Sequence, residues 1–335
     1  MNDGLPALHH QVMIGAVPIP GNIFLAPLAG YTDRVFRSIC RDFGADFTYS
    51  EMVSAEGVAR ESAKTDPLMR RGSNEDLFAI QLFMGDVDPV KRCLDRLLTF
   101  SPTVIDINCG CPVPKVVKIG AGSQLMRSPD KLYEIVSYIT GSCSVPVSVK
   151  FRLGWDQDAI SWKRTADAAL EGGASMLTMH SRTRAQGYAG KADWLQIRAL
   201  KQWVSEKAPS IPVFGSGDLF TAEDAKVMIL TTGVDGVMFA RGAIGNPFVF
   251  REAKALLDGA PVPAPPSIAE RKQVIVRHLI QLAEDIGENA ACREMRKHVC
   301  AYLKGVPFAG PVKQAVVQAT SIDMYLKALG QLPEA

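Results

Sequence analysis

The 335-residue sequence shows no disulfide framework: its seven cysteines are an odd number and no CxxC pair occurs among them. That argues against a cross-linked secreted scaffold and makes a reducing cytoplasm the expected location. No stretch approaches the roughly 18 to 20 unbroken apolar residues of a membrane span, so no membrane partner is expected. The segment Met1–Gln11 carries Asn2, Asp3 and two histidines rather than a basic patch before an apolar run, so no signal peptide is expected. Five histidines and the cysteine spacing present no recognisable ligand set, so no metal is expected. A formal net charge of only +2 leaves nucleic acid open as a partner but requires any basic surface to be local. Nothing in the chain calls for an obligate protein partner.

What is present is apolar and repetitive. Hydrophobic residues make up 47% of the chain and charged residues 21%, enough for a sizeable core. The length exceeds one ordinary domain, unless that domain is a large α/β barrel of roughly 250 residues with a small addition. Eight short β-branched or apolar runs recur: Asn22–Ala29, Phe47–Met52, Phe78–Phe83, Val104–Asn108, Val147–Arg152, Met176–His180, Val213–Gly215 and Gly236–Ala240. Amphipathic stretches lie between them, among them Pro89–Leu98, Pro129–Ile139, Asp158–Glu171, Trp194–Glu206 and Ala222–Leu230. The runs barely alternate, as expected of strands buried on both faces of a parallel sheet. The expected fold is therefore a (β/α)8 TIM barrel. An open doubly wound sheet is the alternative, but no GxGxxG follows the first run.

The composition changes at Gly259-Ala-Pro-Val-Pro-Ala-Pro-Pro, where four prolines favour a stiff, extended connector. Beyond it, Ile268–Ile286 and Asn289–Leu303 read as helices. The expected organisation is a catalytic barrel over 1–258, a Pro-rich linker over 259–266 and a small all-helical domain over 267–335.

Barrel active sites sit at the C-terminal strand ends. The fourth run ends in Asn108-Cys-Gly-Cys-Pro, where Gly110 and Pro112 build a turn able to present the Cys111 thiol to the barrel mouth. Cys109, outside that turn, is expected to be structural. The fifth run carries Lys150, a costly residue within an apolar strand unless its charge meets an anionic cofactor, pairs with a carboxylate or snorkels outward. His180 ends the sixth run. Gln81 in the third either reads the edge of a heterocycle or satisfies backbone. Glycine turns follow the seventh and eighth runs, at Ser216-Gly217-Asp218 and Ala240-Arg241-Gly242. Such turns are common punctuation, yet at this pair of positions they suit a phosphate gripped by backbone N–H groups and Arg241.

Taken together these motifs resemble the tRNA-dihydrouridine synthases, most closely the bacterial B-type branch. The resemblance rests on Leu25-Ala-Pro-Leu-Ala-Gly-Tyr-Thr-Asp-Arg, Glu51-Met-Val-Ser, Asp106-Ile-Asn-Cys-Gly-Cys-Pro with Lys115 and Gly120-Ala-Gly-Ser, Val149-Lys-Phe-Arg-Leu-Gly-Trp, His180-Ser-Arg-Thr-Arg, and Met295-Arg-Lys-His followed by Tyr302-Leu-Lys-Gly. Ser216 stands where the family usually has Asn, and Ala301 where an aromatic residue is frequent.

The resemblance implies FMN held by Pro27, Leu28, Ala29, Gln81, Lys150, His180, Ser216, Gly217, Asp218, Ala240 and Arg241. It implies Cys111 as proton donor and Asn108 at the target base. Lys115, Arg182, Arg184, Arg293, Arg296, Lys297 and His298 fall on the RNA side. NADPH (or NADH) would reduce the flavin. Hydride would then pass to C6 of a tRNA uridine flipped out of its stack, with the proton going to C5. The helical spacing puts Arg293, Arg296 and Lys297 on one face, although residues 265–335 hold only nine Lys plus Arg against seven Asp plus Glu. The rival readings are an FMN barrel acting on free pyrimidines and a non-catalytic RNA-binding protein on the same scaffold.

Overall fold

The structure, a computed structural model, describes residues 8–333. The expectations for the first seven and last two residues fall outside the described residues.

Eight parallel strands close into a barrel. In chain order they are Ile23–Leu25, Phe47–Tyr49, Phe78–Phe83, Val104–Cys109, Val147–Arg152, Met176–His180, Val213–Ser216 and Gly236–Phe239. Each pairs with the next, and the eighth returns to the first through Val237 beside Ile23, which leaves these eight strands no free edge. Helices between the strands form the outer layer and bury the other face, which explains the lack of alternation in the sequence.

Three strands are shorter than their runs, the eighth only by its last residue, Ala240. The first ends at Leu25, because Pro27 has no N–H to extend the ladder. The second ends at Tyr49, and a separate two-residue strand, Val53–Ser54, pairs with the third. The helix anticipated from Asp158 starts at Trp162, since Trp155 and Ala159 are tied in a turn ahead of it.

The barrel interior is layered. Near the N-terminal end, Phe24, Phe47, Tyr49, Met176, Phe214 and Met238 fill it, with Phe24 stacked 4.2 Å from Phe214. A hairpin of Val12–Ile14 and Val17–Ile19 adds Val12, Ile14 and Ile19 to the same cluster and so closes that end. One step up the register the inward residues become polar: Gln81 lies beside Asp106 and Asp106 beside Ser148, then Asn108 beside Lys150.

Residues 260–267 form neither helix nor strand. Four helices follow, Ile268–Ile286, Glu288–Tyr302, Ala309–Gln318 and Ile322–Leu329. The last two lie beyond the pair anticipated from sequence. Their apolar faces share one cluster, in which Met295, Val299, Tyr302 and Tyr325 pack with Val35 and Ile39 of the first barrel helix, Arg34–Asp42. The Tyr325 hydroxyl donates to the Cys292 carbonyl at 2.5 Å.

A buried ion pair anchors that first helix. Arg37 donates through Nε and Nη2 to the Glu75 carboxylate at 2.8 and 2.9 Å and through its other donors to the carbonyls of Thr32 and Arg70. Glu75 also accepts from the Thr48 hydroxyl and the Gly72 N–H. Both side chains are essentially fully buried. Glu75→Gln should therefore lower unfolding free energy by about 3–5 kcal/mol, the usual effect of leaving one buried charge without its partner. Urea titration of the two proteins measures this, and a loss under about 1 kcal/mol would show the pair is dispensable.

Candidate active site

At the C-terminal strand ends the barrel opens into a cavity of about 460 Å³. The cavity residues singled out in the sequence converge on it. Pro27, Leu28 and Ala29 come from the loop after the first strand, Gln81 from the third, Asn108 and Cys111 from the fourth and its loop, and Lys150 from the fifth. His180 comes from the sixth, Ser216, Gly217 and Asp218 from the seventh and its turn, and Ala240 and Arg241 from the loop after the eighth.

A chain of hydrogen bonds runs through the cavity floor. The Asp106 carboxylate is buried and accepts from the Ser148 hydroxyl at 2.5 Å and from Gln81 Nε2 at 2.6 Å. That fixes the Gln81 amide, whose Oε1 then accepts from Asn108 Nδ2 at 2.8 Å. The Asn108 amide is fixed in turn: its Oδ1 accepts the backbone N–H groups of Gly110 at 3.1 Å and Cys111 at 2.9 Å. Burial raises the Asp106 carboxyl to about 6, against the pull of Ser148, Gln81 and Lys150. It is therefore mainly ionised at neutral pH.

Lys150 projects into the cavity from the strand beside Asn108. Close surroundings lower its ammonium to about 8, desolvation being the main cause and Arg152 adding to it. Asp106 attracts it, but the Asp106 oxygens are already engaged by Gln81 and Ser148. The Lys150 side chain lines the cavity instead of snorkelling outward, and Asp106 is its nearby counter-charge without a direct salt bridge.

The Cys111 thiol lies half-buried at the cavity wall, and burial pushes it above the ordinary thiol range, so it stays protonated at neutral pH. Its turn is held from below by Asn108 and from the side by Gly122 at φ +60°, where a Cβ would meet the Cys111 carbonyl oxygen at 2.7 Å. The Gly110 carbonyl accepts Arg152 Nε at 2.8 Å. Arg152 also donates to the carbonyls of Thr183 and Gly187, joining the Cys111 turn to the loop after the sixth strand. Cys109 is fully buried and faces away from the cavity chemistry, with burial raising its thiol further still.

His180 is kept neutral by desolvation and by the cations Arg152, Lys150, Arg182 and Arg241 around it. Arg182 Nη1 lies 3.4 Å from His180 Nε2, and since a guanidinium only donates, Nε2 is the acceptor and Nδ1 carries the proton. At the seventh-strand turn, Gly217 has φ +114°, and a Cβ there would meet Ala192 and His180 at 2.9 Å. The Asp218 carboxylate accepts from Arg182 at 2.7 and 2.9 Å, from Arg241 at 3.2 Å and from the Ala192 N–H at 2.8 Å. It braces two arginines, so any anion contact from this residue must come from its backbone. Arg241 lies 4.3 Å from the Tyr188 ring centroid and 5.4 Å from that of Phe220.

Several residues expected on the RNA side stand elsewhere. Arg182 is 1% exposed and wholly engaged by Asp218 and the carbonyls of Ala189 and Gly190, so it cannot reach a macromolecule. His298 is also 1% exposed, because its helix turns that face inward onto Phe36 and His278. Arg293, Arg296 and Lys297 lie three and four apart on the helix Glu288–Tyr302 and none is buried: Arg293 is exposed, Arg296 reaches toward the Ala319 carbonyl at 3.5 Å, and Lys297 pairs with Glu294 and lies 5.4 Å from the Tyr31 ring centroid. Tyr31 lines the cavity, which puts Lys297 at its rim. Lys115 is exposed on the short helix Pro114–Lys118 just past Cys111, and Arg184 stacks 4.3 Å over Trp155.

Sequence reasoning gave no role to Asp106, Arg152, Tyr31, Met52, Tyr188 or Phe220, of which all but Asp106 line the cavity. Asp106 and Arg152 each lie two residues from a residue already singled out on the same strand, Asn108 and Lys150. That period of two was the available signal. The aromatic residues lie on loops with no such pattern.

The profile of the family described as Dihydrouridine synthase (Dus) matches residues 24–331. A protein of Treponema pallidum named "Probable tRNA-dihydrouridine synthase" is 46% identical over 307 residues, covering 89% of either chain. Proteins named "tRNA-dihydrouridine synthase B" from Pasteurella multocida and Pseudomonas aeruginosa are 36% and 37% identical, covering 94% of both chains, and 89% of this chain with 88% of the relative, respectively. Among solved structures, histamine dehydrogenase from Rhizobium sp. 4-9 superposes with a TM-score of 0.55 at 15% identity, over 82% of this chain and about half (51%) of that one, a likeness of fold alone. The match spans the barrel, the cavity residues and the C-terminal helices together, and the chain belongs to the dihydrouridine synthase family.

Proposed function

We propose that this protein is a flavin-dependent tRNA-dihydrouridine synthase of the B type, acting in the cytoplasm, which binds FMN in the barrel mouth and uses NADPH (or NADH) to reduce the C5=C6 bond of tRNA uridines. The observation that carries this reading is the meeting of three features in one cavity: the Lys150 ammonium without a carboxylate of its own, the protonated Cys111 thiol, and the Gly217–Arg241 corner. Among the described residues no helix is long and apolar enough to cross a membrane.

The residues fit the cofactor. Lys150 supplies a cation for the electron-rich part of the ring, Gln81 and neutral His180 supply uncharged polar groups, and the backbone of Gly217 and Asp218 with Arg241 suits a phosphate. When bound, the flavin supplies the hydride that goes to C6 of uracil. Everything else falls to the chain. Cys111 gives its proton to C5, a task suited to a thiol that is un-ionised at neutral pH. Asn108, whose amide is oriented by Gln81, holds the thiol's turn and faces the place of the target base. Lys297 at the rim, exposed Lys115 and Arg293 offer phosphate contacts to tRNA. The helical segment and the rim together provide the surface that a free pyrimidine would not need.

The decisive experiment is single-turnover oxidation of reduced enzyme by tRNA. Cys111→Ala should slow it by about a hundred- to ten-thousandfold while flavin content and tRNA affinity persist. Cys109→Ala should leave the rate near wild type. Equal rates in wild type and Cys111→Ala would remove the thiol from the reaction.

Lys150 gives a pH signature. Its free-state pKa of about 8 lies below that of an exposed lysine, and an electron-rich ligand raises it on binding. Affinity for reduced FMN should thus be full below about pH 8 and weaken as pH rises through it. In Lys150→Met the affinity should be lower and flat over that range. Anaerobic fluorescence titration measures both, and a slope that survives the substitution would assign it to another group.

A further inference from the structure

A second polar cluster lies where the C-terminal helices meet the barrel, and neither the cavity chemistry nor the RNA face uses it. Asp33 caps the first barrel helix, His278 belongs to the helix Ile268–Ile286 and His298 to Glu288–Tyr302. One ligating atom from each lies within 4.8 Å of the others. Both imidazoles are buried, His278 wholly and His298 at 1% exposure. His278 Nε2 and both nitrogens of His298 have no hydrogen-bond partner. His298 Nε2 is 3.9 Å from Asp33 Oδ2, too far for a hydrogen bond. Two buried imidazoles beside one carboxylate, each with a ring nitrogen that has no partner, call for an absent one.

We infer that Asp33, His278 and His298 form a site for one zinc-class divalent cation that clamps the C-terminal helices to the barrel. Two imidazoles and a carboxylate are a donor set suited to such ions, with room for water as fourth ligand. Ligand atoms around zinc at roughly 2.0–2.2 Å stand closer together than 4.8 Å, so small ring and carboxylate rotations complete the site.

The outer contacts of His278 and Asp33 are those of ligands. His278 Nδ1 lies 3.2 Å from the Tyr302 hydroxyl, which leaves Nε2 for the metal. Asp33 Oδ1 accepts the N–H groups of Val35 and Phe36, which orients Oδ2 toward His298. Desolvation keeps both imidazoles neutral, with lone pairs available. The surrounding cations have other partners: Arg34 pairs with Asp285, Arg277 with Asp42 and Lys297 with Glu294. Half-buried Asp33 gives the ion a way in from solvent. The three ligands are far apart in sequence, which is why spacing gave no sign of them.

The test uses the full chain, stripped with a chelator and then titrated with Zn²⁺ and with Co²⁺. The expected result is one equivalent bound, a melting temperature raised by several degrees, and Co²⁺ visible absorption without the charge-transfer bands of thiolate ligands. Asp33→Asn retains a good helix cap, so it should fold yet bind at least tenfold more weakly. His298→Gln should lose binding. Substoichiometric binding with no thermal shift in wild type would overturn the inference, with a bridging water as the partner instead. So would equal affinity in wild type and Asp33→Asn, which would place the ion elsewhere, on free thiols if the charge-transfer bands appear.

Discussion

The active-site floor depends on one buried carboxylate. A charge inside a barrel is tolerated only where hydrogen bonds and counter-charge surround it. Asp106 has both: Ser148 and Gln81 donate to it, and Lys150 stands on the neighbouring strand. Because a carboxylate only accepts, it dictates which way the Gln81 amide points. Gln81 dictates the Asn108 amide, and Asn108 dictates the turn that carries Cys111. The position of a loop thiol is thus set by rigid strand residues. Asp106 also leaves Lys150 without a bidentate partner of its own, and so available to a ligand.

Around this floor, arginines act as braces more than as ligands. Arg152 ties the Cys111 turn to the next loop through three carbonyls. Arg182 is held by Asp218 at the anion corner. Burial of His180, with their charges beside it, keeps that imidazole neutral, so the corner offers positive potential without an additional titrating imidazolium. The layered interior separates tasks: aromatic packing at the closed end gives stability, and the polar level above it gives geometry.

Much of this was legible in the sequence for physical reasons. Doubly buried strands leave unbroken apolar runs, so the third, fifth and sixth strands could be read to the residue. A thiol between Gly110 and Pro112 and a lysine inside Val147–Arg152 are both anomalies that demand an explanation, and both reach the cavity. What stayed hidden depends on direction in three dimensions. Arg182 and Arg184 sit two apart in one motif, yet one is sealed under Asp218 and the other stacks on Trp155. His298 reads as part of a basic run but lies on the inward face of its helix. The helices Ala309–Gln318 and Ile322–Leu329 went unread beyond the second helical pattern, although Val312, Val316, Tyr325 and Leu329 face the shared core.

The central claim is that Asp106 orients the proton donor through Gln81 and Asn108. Asp106→Asn tests it most directly, because an amide of the same shape replaces a pure acceptor with a group that can donate. The measurement is the rate of single-turnover flavin oxidation by tRNA, with tRNA affinity and the rate of flavin reduction by NADPH recorded alongside. The account predicts that oxidation slows at least tenfold while tRNA affinity stays unchanged and flavin reduction is much less affected. Oxidation at the wild-type rate would contradict it, showing that the Cys111 turn holds its position without the buried carboxylate.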